Sequence, residues 1–212
     1  MGEIVLDALK ETLIMVFTST IFAVILGFIP AILLTVTAND GLKPNKIIYN
    51  ILDFIVNTLR SFPFVILMVI IVPLTRFIVG KSIGTTAAIV PLTIAAAPFV
   101  ARVIESSLRE VDKGVIEAAK AFGASNFQII FKVMLKEAIP SIMSGITLTI
   151  ISIVGYSAMA GAIGGGGLGD VAIRYGYQRF QTDVMVVTCI MLIIVVQLLQ
   201  FLGNYFYNKL SK

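Results

Sequence analysis

The chain has 212 residues, of which 58% are hydrophobic and only 13% charged. Soluble domains carry charge on roughly a quarter of their residues. The composition, with a mean hydropathy of +1.00, therefore excludes a disordered chain, a nucleic-acid-binding domain and an ordinary soluble enzyme. There is no His and no Trp, and Cys189 is the single cysteine. A disulfide framework, a Cys/His metal centre and any imidazole-dependent triad are excluded with them. A net charge of +4 is too small to define an acidic partner, and what remains is an all-α integral membrane protein.

Charge-free intervals place the spans. Thr12 to Asn39 is 28 residues without a charge, Ser82 to Ala101 is 20, Ala138 to Gly169 is 32 and Val184 to Asn208 is 25. About 20 apolar residues cross the hydrocarbon layer as a helix, and an open strand would leave backbone groups unpaired in lipid. A fifth, shorter segment lies between Arg60 and Arg76, where the two guanidiniums can snorkel to opposite interfaces. It reads as a short span over Arg60–Val79, broken by Pro63 and Pro73, with Tyr49–Leu59 as a lead-in helix. The spacing thus predicts one transmembrane domain over 1–212 with five spans at about 12–38, 60–79, 83–104, 139–162 and 184–207. The first interval is nearly twice the length of a signal-peptide core and has Glu3, Asp7 and Glu11 before it, so it reads as a retained helix.

With five spans, Lys43, Lys46, Arg102, Arg109, Lys113, Lys120, Lys132, Lys136, Lys209 and Lys212 fall on one side. Lys10, Arg76, Lys81, Arg174 and Arg179 fall on the other. The positive-inside rule then puts the 105–137 loop and the C-terminus in the cytoplasm and the N-terminus outside.

That loop reads as a helix–turn–helix. Val115, Ala118, Ala119 and Phe122 recur at helical spacing on one face, while Lys113, Glu117 and Lys120 are spaced for helix ion pairs. Gly123 is placed to end the first helix, and Ser125 with Gln128 forms a capping box for a second. Phe127, Ile130, Phe131 and Met134 repeat the apolar face. Amphipathicity alone leaves two readings open: packing on the membrane helices, or docking into a groove on a soluble partner.

Glu117-Ala118-Ala119, three residues, Gly123, then ASNFQIIFKV to Met134-Leu135 resembles the EAA loop of bacterial ABC-importer permeases. Lys136 stands where that family usually has Pro, and Pro140 follows instead. SIGTTAAIVPLTIAAAPFVAR (82–102), GYSAMAGAIGGGGLGD (155–170) and AIRYGYQRFQTDVM (172–185) resemble the permease subunit of methionine importers. The resemblance implies a type I ABC importer permease fold, five transmembrane helices with a cytoplasmic coupling helix–turn–helix, in the bacterial cell membrane. It implies a homodimer of this chain, two cytoplasmic ATPase subunits that hold the ATP and Mg, and an extracytoplasmic binding protein, a lipoprotein in some such systems, delivering methionine. Carried onto this chain, the coupling contacts are Glu117, Ala118, Ala119, Gly123, Ala124 and Ser125. No cofactor and no catalytic residue is expected in the chain itself.

Other motifs weigh differently. Gly80-Lys81-Ser82 looks like the end of a phosphate loop, but Thr75 stands where its first Gly is required. Gly164, Gly166 and Gly169 satisfy G-x-G-x-x-G without the strand a dinucleotide site needs. They fit a sharp turn, a close backbone approach across a dimer axis, or a merely flexible loop. Ser141, Gly145, Ser152, Gly155 and Met159 are 4, 7, 3 and 4 residues apart and line one helix stripe. The stripe is either a packing seam or a pore wall with Met159 as its plug. Arg60, before Ser61-Phe62-Pro63, is either an interfacial anchor or a functional cation.

Sister permeases for another amino acid, a methionine-containing dipeptide, a quaternary amine or a phosphonate share these features. A secondary carrier or channel would bury ionisable residues for ion coupling near the midplane, and the four clear intervals contain none. An intramembrane hydrolase would need a nucleophile with a base, and those intervals supply no His, Asp or Lys.

Overall fold

The structure, a computed structural model, describes residues 2–211. Lys212, one of the ten basic residues assigned to the cytoplasmic side, lies outside them. Among the described residues ten α-helices occur, in the order α1 (Gly2–Thr37), α2 (Lys46–Ser61), α3 (Phe64–Ile70), α4 (Val72–Val79), α5 (Thr85–Arg109), α6 (Lys113–Ala121), α7 (Asn126–Gln128), α8 (Leu135–Gly161), α9 (Gly167–Val171) and α10 (Thr182–Leu210). Wider π-helical turns at Ile129–Met134 and Ala172–Tyr177 interrupt the regular winding. No strand occurs among the described residues.

Four continuous helices are long and apolar enough to cross a membrane: Gly2–Thr37, Thr85–Arg109, Asn126–Gly161 and Thr182–Leu210. The fifth predicted span, broken as expected near Pro63 and Pro73, consists of the short helices α3 and α4, and α2 covers the predicted lead-in segment Tyr49–Leu59. α2 starts at Lys46, capped by the Asn45 side chain, and contains Arg60 in its last turn. Phe62, forced out of helical geometry by the ring of Pro63, is extended (φ −71°, ψ 127°). α2 and α3 meet at 101° across that break. Pro73 then sits at the start of α4, where its missing N–H costs nothing. α1 begins ten residues before Thr12 and ends at Thr37, so the predicted first span forms the later part of a longer helix.

α5 is the axis of the bundle. Its apolar window is 61% buried against 17% for α10, so α5 is enclosed by protein while α10 faces outward. α1 packs along α5 more extensively than any other pair of elements. Small residues allow this: a Cβ on Gly27 would lie 2.6 Å from the Ala97 carbonyl oxygen and 3.0 Å from the Val100 side chain. In lipid, helices associate through such close packing because no hydrophobic force separates protein from tails. Hydroxyls in these helices donate back to carbonyls one turn earlier, as in Thr20 to Val16 (2.7 Å) and Thr147 to Met143 (2.8 Å), which satisfies these donors in an apolar medium.

The chain has two distinct ends. At one, which we term the loop end, lie the 38–45 and 110–125 connections. At the other, the glycine end, the 80–84 and 162–166 connections meet, with the Gly84 amide donating to the Gly164 carbonyl (2.9 Å). α1 and α5 run toward the loop end, α8 runs back, and α10 returns to it, so Gly2 and Leu210 lie at opposite ends.

Gly27→Val forces α1 away from α5. Overpacking of this kind costs about 1–3 kcal/mol, and a fall in Tm of roughly 2–12 °C is expected in detergent. An unchanged melting curve would mean that this crossing does not set the bundle's stability.

Candidate functional site

The helix–turn–helix at the loop end is built by local chemistry. Asp112 caps α6, its carboxylate accepting from the Gly114 amide (2.6 Å). Gly123 takes the left-handed conformation (φ 78°), and the Ala124 amide reaches the Ala119 carbonyl (3.0 Å) while Gly123 reaches Lys120 (2.9 Å). This pair of bonds is a Schellman stop. Ser125 and Gln128 then form the predicted capping box, with bonds of 3.3 and 2.8 Å in the two directions. The turn is therefore fixed at both helix ends.

The second arm of the motif is not the short helix that its spacing predicts. α7, the π turn and α8 are one continuous helix, Asn126–Gly161. Pro140, expected to mark the start of the fourth span, lies inside α8. No Gly occurs between Asn126 and Ser144, so nothing ends the helix before the membrane segment.

The apolar faces divide. Ile116, Ala119 and Ala124 turn toward the core, and Ile129, Ile130 and Met134 are buried in it. Val115 and Phe122 of the predicted face stay outside, with Phe122 92% exposed. Phe127 is 67% exposed and packs against Phe131 at 4.5 Å between ring centroids. Glu117, Ala118 and Ser125 are exposed beside them. The predicted contact residues thus form one surface, with Ala119 and Ala124 half-buried at its base. The spacing also suggested an ion pair within α6; Lys113 instead reaches across to Asp40 (3.5 Å).

Beneath this surface lies a network that sequence inspection missed. Glu105 is 3% exposed and sits between Arg102 (2.6 Å) and Arg109 (3.7 Å) of its own helix. Arg102 also pairs with Asp53 of α2 and donates to Asn57 (3.0 Å). Arg109 reaches Asp40 (3.2 Å), which in turn holds Lys113 at the start of α6. Charges thus run from α2 through α5 to α6. The only sequence signal is the Arg102/Glu105/Arg109 spacing of i, i+3 and i+7, which marks three charges on one face. A hydrogen bond from its own backbone amide, reinforced by Arg109 and Lys113, holds the Asp40 carboxyl below its ordinary value of 3.8.

The stripe on α8 has two parts. At the loop end it is a seam: Ser107 donates to Ser141 (3.0 Å), Ser141 donates to Glu110 (2.9 Å), and Gly145 receives the Val103 side chain so closely that a Cβ would collide with it. Toward the glycine end Ser152, Gly155 and Met159 are exposed, and nothing lies within 4 Å of a Cβ placed on Gly155. The structure brings the five residues onto one line, but only the first two into contact with α5.

At the glycine end the run 164–167 is a built turn, not a flexible loop. Gly164, Gly166 and Gly167 all have positive φ (86°, 80° and 78°). The Gly167 amide donates to the Glu11 carboxylate (2.7 Å) and the Leu168 amide to the Thr12 hydroxyl (2.9 Å). Its close backbone approach lies within the chain, where Gly161 of α8 and Gly169 of α9 each abut the other segment's backbone. Gly80, in the phosphate-loop lookalike, is the left-handed cap of α4 (φ 77°).

An all-helical chain with four continuous membrane-length helices, a bent fifth segment and an ordered helix–turn–helix at one end is a multi-pass integral membrane protein. Residues 23–212 match the model of the binding-protein-dependent transport system inner membrane component, and the chain belongs to that family. It is 50% identical over 210 residues to the probable D-methionine transport system permease protein MetI of Vibrio cholerae, covering 99% of this chain and 93% of that one. It is 45% identical over 180 residues to the methionine import system permease protein MetP of Bacillus subtilis, covering 85% and 81%. Among solved structures, an inward-facing form of the MetNI methionine ABC transporter in its native crystal form superposes with a TM-score of 0.98 at 44% identity, covering 100% of this chain and 98% of that one. An amino acid ABC transporter solved with histidines superposes at 0.81 with 20% identity over 98% and 94%, a likeness of fold.

The Asp40 tie has a defined pH dependence. Because its carboxyl is lowered in the folded state, the tie is complete above pH 3.8 and is lost as pH falls through the lower folded value. An exposed tie of this kind contributes about 0.2–1 kcal/mol. Asp40→Asn should therefore speed hydrogen exchange of the α6 amides about twofold at pH 7, and the difference from the natural chain should vanish at low pH. Equal protection at pH 7 would show that the tie does not hold α6.

Proposed function

We propose that this chain is the membrane-spanning permease subunit of an ATP-driven importer of methionine. The observation that carries the reading is the exposed apolar surface of Val115, Phe122 and Phe127 on a turn locked at both helix ends. Its setting is a chain 44–50% identical over nearly its whole length to methionine permeases. Two copies of the chain form the translocation path. Two ATPase subunits bind ATP and Mg at the loop end, and a binding protein delivers substrate at the glycine end. The bias of basic residues supports a cytoplasmic loop end and an extracytoplasmic N-terminus.

The turn seats in a groove of the ATPase, helix-in-groove fashion. Glu117, Ala118, Gly123 and Ser125 present the turn, Ala119 and Ala124 form its base, and Phe122 is the anchor. ATP-driven closure of the ATPase pair moves both turns, and the charge network ties each turn to α5 and α2. Ser152 and Gly155 line the path where α8 of one copy faces its mate, while Ser141 and Gly145 seat α8 on α5. Met159, with its flexible thioether, closes the outer mouth.

Phe122→Asp should leave the chain folded, since that side chain touches almost nothing, and should weaken ATPase association at least tenfold, as loss of a buried aromatic anchor does. Co-purification and labelled-methionine uptake check both. Undiminished association removes the turn from the docking surface. If the ATPase associates with the natural chain and methionine does not enter, the class stands and the substrate is another small amine or amino acid. Met159→Ala should raise ATP-independent leak of methionine from loaded vesicles severalfold, and an unchanged leak removes Met159 from the gate.

A further inference from the structure

The charge network at the loop end also holds α2. Of the 16 residues in α2 only Val56 is buried. Ile47, Ile51 and Phe54 share one face at helical spacing and are all more than half exposed. Asp53 and Asn57 lie one turn apart on another face, where the Asn57 amide donates to the Asp53 carboxylate (3.1 Å). Among the described residues, every hydrogen bond between an α2 side chain and another element involves Arg102 of α5. Arg102 in turn holds the buried Glu105 (2.6 Å). A guanidinium serves both neighbours at once because its five donors point in fixed, separate directions.

Both ends of α2 lead to other parts of the machinery. Before it, Asp40 in the 38–45 connection is tied to Arg109 and to Lys113, the first residue of α6. After it, the extended Phe62 turns the chain through 101° into α3. Pro63 has no N–H with which to continue the α2 ladder. α2 and α3 can therefore turn about that point, as hinges at element ends do. Beyond the bend, Phe64 stacks on Tyr156 of α8 at 4.8 Å, with 15° between the rings. Tyr156 follows Gly155 directly and lies one turn from Ser152, the two residues assigned above to the translocation path.

We propose that Asp53 is a positioning residue for transport. Through Arg102 it makes α2 follow α5 and α6, and so carries the movement of the coupling turn through the bend to α8. The inference rests on the importer function proposed above and names a contact through which ATP-driven closure reaches the path. The helix that begins at Asn126 joins the turn to the path directly, whereas α2 joins it from the opposite arm, α6. With the Asp53–Arg102 contact made, both arms drive α8 together. Without it, α2 and α3 stay behind as the turn moves, and Phe64 holds Tyr156 back. ATP is then hydrolysed without a full opening of the path.

The test is the amount of labelled L-methionine imported per ATP hydrolysed, in proteoliposomes holding the permease–ATPase assembly with binding protein. Asp53→Asn should leave the assembly intact, since Arg102 keeps Glu105 and the turn is untouched. It should lower that ratio at least about threefold. Asp53→Glu, which keeps the charge, should restore most of it. Phe64→Leu, at the far end of the route, should lower the ratio as well. The two sites share no partner, so independent effects would multiply. On a single route the double variant is no worse than the poorer single one. Co-purification with the ATPase checks assembly. If Asp53→Asn does not assemble, Asn57→Ala, which removes the other α2 acceptor of Arg102, is read in the same way. An unchanged ratio, with uptake and hydrolysis falling together, overturns the proposal and leaves the importer function standing, as do multiplied losses in the double variant. If the natural assembly hydrolyses ATP and imports no methionine, the importer function is wrong and the proposal falls with it.

Discussion

A single buried carboxylate organises the loop end of this molecule. Glu105 on the central helix is almost without solvent and lies between Arg102 and Arg109. A charge so placed is tolerable only while its partners remain, and stripping one partner from such a group costs about 3–5 kcal/mol. The two arginines are held in turn by Asp53 and Asp40, which belong to α2 and to the connection after α1. The membrane helices can slide against one another through interchangeable apolar contacts. This network cannot, because each member fixes the register of the next. It refers α2, α5, α6 and the connection after α1 to a common point.

The opposite end solves a similar problem with backbone. α9 has only five residues, and its first amides would be orphaned beneath the surface. Glu11 and Thr12, 156 positions earlier in the chain, accept them. Negative charge is favourable at a helix N-terminus, so one carboxylate ties the first helix to the glycine turn. Glycines at 161 and 169 then let two backbones touch where a methyl group would hold them apart. The bundle is pinned by charge at one end and by backbone contact at the other, with small-residue crossings between.

Much of this was legible in the sequence, for reasons that also explain the failures. Uninterrupted runs without charge report burial in lipid directly, so the four clear spans follow from them. They say nothing of axis direction: the breaks at Pro63 and Pro73 and the lead-in helix before them were readable, but the 101° turn between α2 and α3 was not. Gly123 and the Ser125/Gln128 pair were readable because stop and cap chemistry is local. The Asp53–Arg102 contact was not, since it joins residues 49 apart and neither residue alone hints at the other. The α8 stripe failed in a subtler way. Small residues at helical spacing mark a face that something approaches closely, yet the pattern is the same whether that neighbour is α5, as at Gly145, or lies outside the chain, as at Gly155.

The unbroken helix from Asn126 to Gly161 has a mechanical meaning. Its 36 residues make a rod of about 54 Å, with the ordered turn at its foot and Met159 near its tip. Gly145, where the Val103 side chain nests against the rod, lies 19 residues from the foot and 16 from the tip. The rod is also held at its foot by buried Ile129, Ile130 and Met134 and at its tip by the Gly161 backbone contact with α9. A member fixed at three points cannot tilt alone, so displacing its foot displaces the bundle it is fastened to.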